Sequence, residues 1–150
     1  MPKHIVSGLK YLAAVELRKD GYSQNQIAEI LNMNRSTVSH YLNGRNISLN
    51  SIEVAETIRD FCRKDFVTLV YTLLKDEDQT RTIVKICSDY EFESNVENSC
   101  IACGICSDAC MMNAVVLDDL KAKINNELCC GCLICGEMCP TNSITVTEVK

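Results

Sequence analysis

The apolar positions of this chain follow two different rhythms. Over the first 87 residues they recur every three and four positions, which places them on single faces of helices. Ile5, Leu9, Leu12, Ala13 and Leu17 form the inner face of a helix over residues 4–19. Ile27, Ala28 and Leu31 line a second helix, and Val38, Tyr41 and Leu42 a third. Ile52, Ala55, Ile58 and Cys62 line a fourth, with Ser51 as its expected cap. Phe66, Leu69, Val70, Leu73 and Leu74 make a markedly apolar stretch, suited to burial within the domain or to a dimer seam; these helices could complete a five-helix domain. Asp76, Glu77 and Asp78 break the pattern as a charged turn, and residues 81–87 are apolar again, as helix or strand. Residues 88–99 are rich in Ser, Asp, Glu and Asn, and 88–95 read as a linker. Beyond it come only short β-prone stretches, at 115–117, 122–125 and 144–149. The pattern predicts two domains: an all-α bundle over 1–87, then an α+β module over 96–150.

Local signals sharpen the segment 21–45. Ser23 is a good N-cap, and Gln26 three residues later completes a capping box. Asn32-Met33-Asn34 reads as a turn, with Asn32 able to take the left-handed conformation. Ser36 or Asn34 can cap the next helix, and Gly44 ends it as a C′ glycine.

The hairpin at 23–43 resembles the helix-turn-helix of Cro- and phage-repressor-like regulators. The small Ala28 stands where the two helices touch, and Ile27, Leu31, Met33, Val38 and Tyr41 fall where that family buries its core. The resemblance implies DNA as a partner. The second helix would present Asn34, Arg35, Ser36, Thr37, Ser39, His40 and Asn43 to base edges and phosphates in the major groove. The competing account is a plain helical hairpin with a solvated polar face. Residues 1–50 hold six Lys or Arg against three acids, a balance of +3 that is modest for a DNA binder. A homodimer would double the positive charge facing a duplex.

The 11 cysteines change the picture most, because nine of them lie at or after Cys100. Cys100, Cys103, Cys106 and Cys110 read C-x2-C-x2-C-x3-C. Cys129, Cys132, Cys135 and Cys139 repeat that spacing 29 residues later, with Pro140 following. Ile105 aligns with Ile134, Asn113 with Asn142, and Val115 with Ile144. An odd cysteine count, two-residue spacings and no signal peptide oppose a secreted disulfide protein. No apolar run approaches the ~18 residues that span a bilayer. The expectation is a cytoplasmic protein in a thiol-reducing compartment. A pair of zinc knuckles is the competing metal account, although zinc sites usually pair two C-x2-C hairpins.

The repeated run resembles the bacterial-type ferredoxin with two [4Fe-4S] clusters. In that family the fourth cysteine of each run ligates the other cluster. The resemblance therefore implies one cluster on Cys100, Cys103, Cys106 and Cys139, and another on Cys129, Cys132, Cys135 and Cys110. Gly104, Gly131 and Gly136 would let the backbone approach the inorganic sulfides. The first run departs from the family in carrying Met111 where Pro follows the fourth cysteine. A module of about 55 residues has too little core to fold unaided, so the metal-free form is expected to be largely disordered here. Cys130 reads as a spare, partly buried thiol, with a substitute ligand or redox-sensitive thiol as the alternative. Cys62 and Cys87 read as core.

No phosphate loop, nucleophile–base pair or hydrolase motif stands out, so no enzyme activity is expected. Residues 95–150 carry three Lys against seven acids, opposite in sign to the first 50. The combination looks like archaeal iron–sulfur transcriptional regulators, which implies a redox-responsive DNA-binding regulator. The alternative is an electron-transfer subunit of a larger redox or metalloenzyme-assembly complex, its helical domain docking a protein partner.

Overall fold

The computed structural model describes residues 2–88 and 92–148. Six helices come first: α1 (Pro2–Lys19), α2 (Gln24–Ile30), α3 (Arg35–Leu42), α4 (Leu49–Arg59), α5 (Arg63–Leu74) and α6 (Glu77–Ser88). Then follow β1 (Phe92–Val96), α7 (Ile105–Ala109), β2 (Val115–Asp118), β3 (Lys121–Ile124), α8 (Ile134–Met138) and β4 (Ile144–Glu148). This is the expected all-α bundle followed by an α+β module.

The expected faces are the buried ones. Leu9, Leu12, Ala13 and Leu17 of α1 meet Ile27, Leu31, Val38, Ala55, Phe66 and Val70 in one core. The segment left open between helix and strand is α6, which buries Ile83, Val84 and Cys87. The acidic turn is the start of that helix: the Asp76 carboxylate accepts from the Gln79 N–H at 3.0 Å, which satisfies one of the orphan donors of the first turn. Two expectations fail here. Ser51 does not cap α4. Ser48 does, accepting from the Ser51 N–H at 3.2 Å, while Ser51 is buried in the first turn. Cys62 is not core but exposed, one position before α5, because α4 has already ended at Arg59.

The helix-turn-helix turns are made as their residues dictate. The Ser23–Gln26 capping box is closed in both directions, at 2.9 and 3.3 Å. Asn32 takes φ 53° and Gly44 φ 71°. The Met33 N–H reaches Ala28 O at 2.9 Å, and the Arg45 N–H reaches His40 O at 2.7 Å. Each is the long bond of a Schellman ending, made twice with a residue that tolerates the left-handed region.

The linker is shorter than its composition suggests. Residues 89–91 lie outside the described residues, as does Val149 of the last β-prone stretch. Phe92–Val96 is a strand, antiparallel to β4 with Phe92 opposite Glu148 and Val96 opposite Ile144. The β-prone segment 144–149 therefore finds its partner in the polar stretch before the cysteines rather than in a hairpin of its own. β2 and β3 do form a hairpin, turned by Asp119 and Leu120 at φ 51° and 60°. Two positive φ values at a two-residue turn match the twist of the strands it joins.

The two modules share a core. Met112 and Cys130 are buried with the helical cluster. The Arg63 guanidinium sits 4.3 Å from the centre of the Phe92 ring. Lys64 Nζ pairs with Glu137 at 2.8 Å, and the Asn113 amide donates to Glu77 at 2.6 Å.

Gly8 of α1 lies hard against α4. A Cβ there would lie 2.2 Å from Ser51 O of α4, which is backbone and cannot swing aside. A helical Gly→Ala change ordinarily gains about 1 kcal/mol. Overpacking of this severity costs about 1–3 kcal/mol or more and outweighs that gain. Gly8→Ala is therefore expected to lower stability by about 1–2 kcal/mol, seen as an earlier urea midpoint for the helical circular-dichroism signal.

Candidate metal centre

The sequence repeat is repeated in the backbone. Ala102 and its equivalent Gly131 take φ 54° and 69°; Gly104 and its equivalent Leu133 take 83° and 69°. A five-residue helix follows in each half, α7 and α8, ending at Cys110 and Cys139 in extended conformation. Asn113 and Asn142 then take φ 50° and 51°. The sulfur bonds repeat as well: the Ala114 N–H donates to Cys110 Sγ at 3.4 Å and the Ser143 N–H to Cys139 Sγ at 3.3 Å. Left-handed residues curl each loop so that amides face sulfur, which is why these positions favour Gly and Asn. Of the three glycines singled out above, Gly104 and Gly131 occupy that region, whereas Gly136 lies inside α8.

The fold gathers the eight cysteines around two cavities. Cys100, Cys103, Cys106 and Cys139 line one, of about 290 Å³, together with Leu117, Ala122 and Ile144. Cys110, Cys129, Cys132 and Cys135 line the other, of about 430 Å³, together with Cys130, Met112, Ile134 and Val67. Both volumes include space open to solvent. Cys139 thus sits with the first run and Cys110 with the second. Among the described residues, no three Cys, His, Asp or Glu side chains converge on a single ion position. The four cysteines of the repeat around each cavity, with backbone N–H groups aimed at sulfur, form a soft donor set that suits an iron–sulfur cluster well.

Burial governs the thiols of the second cavity. It pushes Cys129 and Cys132 up, and Cys135 up to about 11. Cys106 is raised by burial as well. Cys139 goes the other way, to about 7, because the Thr141 hydroxyl hydrogen-bonds its sulfur. Ser143 supports this corner: its buried hydroxyl meets Ser99 Oγ at 2.7 Å and Thr141 Oγ1, and its carbonyl accepts from the Glu97 N–H at 2.7 Å. Metal binding needs thiolates, so loading the buried set releases protons that the metal charge must displace. Cys130 is buried, raised to about 12 chiefly by desolvation, and packed against the helical core, so it is a closed-in thiol and not a reactive one.

The helix-turn-helix profile matches residues 16–57, and the 4Fe-4S binding domain profile matches residues 122–145, which span the second cysteine run. The ferredoxin-type protein FwdE of Methanocaldococcus jannaschii is 35% identical over 129 residues, covering 86% of each chain. The chain belongs to that protein's family. No solved structure matches. This chain carries both modules, and the C-terminal one is a [4Fe-4S]-binding, ferredoxin-type domain. No helix among the described residues is long and apolar enough to cross a membrane.

The residues expected to face DNA are on and beside α3. Asn34, Arg35, Ser36 and Asn43 are exposed; Thr37, Ser39 and His40 are half-buried. Asn34 is the N-cap, without a side-chain bond to the helix, and Val38 and Tyr41 hold the opposite face in the core. Sequence reasoning missed Val67, which walls the second cavity from α5. It also missed Arg81 and Lys85 of α6, which hydrogen-bond the carbonyls of Leu128 and Glu127 beside Cys129. Nothing local to those residues signals the contact, since their partners lie more than 40 positions away.

Equivalent positions 102 and 131 should respond oppositely to mutation. Ala102→Gly relieves a left-handed alanine and is expected to gain up to about 1 kcal/mol. Gly131→Ala strains φ and drives a Cβ to 2.5 Å from the Phe92 ring. It is expected to lose about 1–3 kcal/mol. Anaerobic thermal unfolding and bound iron per chain would register both.

Proposed function

We propose that the chain is a cytoplasmic electron carrier holding two [4Fe-4S] clusters. Cys100, Cys103, Cys106 and Cys139 hold the first; Cys110, Cys129, Cys132 and Cys135 hold the second. The observation that carries this reading is the division of the eight repeat cysteines between two cavities, four to each, with Cys130 as a further thiol at the second. A fully thiolate-bound cluster has no open iron position, so the chemistry it supplies is one-electron transfer. The cysteines fix the clusters, and the amides of Ala114, Ala122, Gly131 and Ser143 help disperse negative charge on the thiolates.

The first cavity supplies the outward end. Cys103 is exposed, Ile101 and Leu120 are 63% and 87% exposed, and Asp108, Asp118 and Asp119 lie at the surface. Such a rim fits a redox partner with apolar contacts and a basic surround. The helical module then serves as a scaffold that docks protein, since a fold does not dictate its use.

A second reading, a redox-responsive DNA-binding regulator, is favoured by the helix-turn-helix match and by α3, whose exposed face carries Arg35, Ser36 and Asn43 and no acid. The carrier reading is preferred because the relative that spans both modules is named for its ferredoxin character.

Two variants separate the readings. Cys106→Ser is expected to cost bound iron and most electron flow from a reductant to an artificial acceptor. The double change Arg35→Ala with His40→Ala is expected to leave both intact. Genome-wide occupancy of the native protein, with and without oxidant, gives the opposing measure: enriched DNA sites lost in the Arg35/His40 variant would favour the regulator.

A further inference from the structure

The two cavities are not equivalent. Among the described residues, the first is lined by the C-terminal module alone, whereas Val67 of α5 closes part of the second. One cation of α6 goes further. Arg81 Nε donates to Leu128 O at 3.1 Å, and its Nη2 to Met112 O at 3.4 Å. Leu128 immediately precedes Cys129, and Met112 follows Cys110 by two residues. These two segments come from different repeats and must meet for the four cysteines to share a cavity. Lys85 adds a bond to Glu127 O at 2.5 Å.

We propose that Arg81 is a positioning residue of the second cluster: its guanidinium ties together the two segments that deliver Cys110 and Cys129, and its charge raises that cluster's reduction potential. The inference rests on the two-cluster carrier reading. Its physical basis is threefold. A planar guanidinium presents several donors in a fixed fork, so it can hold two carbonyls at once where an ammonium serves as a point charge. The Arg81 side chain is only 14% exposed, so its field is weakly screened by solvent, while its ion-pair partner Asp78 is 89% exposed and well screened. A fixed positive charge beside a cluster favours the more negative, reduced form.

The test uses the full chain, purified anaerobically, as wild type, Arg81→Gln and Arg81→Lys. Electron paramagnetic resonance follows both clusters through a redox titration, and a chelator challenge follows iron loss. Arg81→Gln is expected to lower one midpoint and leave the other in place. At the potential where the wild-type cluster is half reduced, the reduced-to-oxidised ratio should fall about tenfold, or about 59 mV for a one-electron couple. Arg81→Lys should keep most of the potential. It should also lose half its iron to chelator faster than wild type, because one ammonium cannot span both carbonyls. Unshifted midpoints in an iron-replete Arg81→Gln protein, or two midpoints that move together, would overturn the proposal. If Arg81→Gln cannot hold the second cluster, Arg81→Lys decides: faster stripping of half the iron supports the clamp, and stripping at the wild-type rate or of all iron alike overturns it. A wild-type protein whose two clusters titrate but pass electrons to no acceptor would sink the carrier reading and leave the Arg81 result standing.

Discussion

Each run of four cysteines is incomplete by itself, and the chain completes both by exchanging Cys110 and Cys139 between two cavities. That exchange is the constraint on which the C-terminal module depends. Its own apolar cluster is small: Cys106, Val115, Ala122 and Ile144 are the buried members. A module of this size buries too little surface of its own to offset chain entropy, so it draws on the core it shares with the helical bundle. The repeat in φ values has a local reason. Loops must curl to aim amides at sulfur twice over, and only left-handed residues allow that curl.

The second half of that exchange leans on the helical module. Cys110 and Cys129 come together under α5 and α6, where Val67, Arg81 and Lys85 meet them. The helix-turn-helix bundle is therefore not a separate bead on a string. Met112 and Cys130 join its core, and a strand takes up half of the stretch 88–95 that the composition suggests is a linker.

Most of the helical bundle was legible because helix signals are local. Ser23 and Gln26, Asn32, Gly44 and the apolar period from Leu9 to Leu17 all act within a few residues. The cysteine repeat was legible for a similar reason, since spacing alone records it. What escaped notice depends on distant partners. Gly8 has meaning only against Ser51, Phe92–Val96 is a strand only because β4 lies beside it, and Arg81 matters only where the two repeats cross. Cys62 misled because helical spacing carried it one turn past the real end of α4. Ser51 misled because Ser48, three residues earlier, is the equally good cap that α4 uses.

Val67, Arg81 and Lys85 precede every cysteine of the two runs in the chain, and this has a consequence for biogenesis. Synthesis releases the helical bundle first, and its mostly local contacts let it form early. The residues of α5 and α6 that meet the second cavity and its loops then exist before the cysteines emerge, as a surface against which the later segments settle. Among the described residues, the first cavity has no such surface and relies on the C-terminal module alone. A cell short of iron would hold a folded bundle with an unfinished tail, and that tail is what proteases engage.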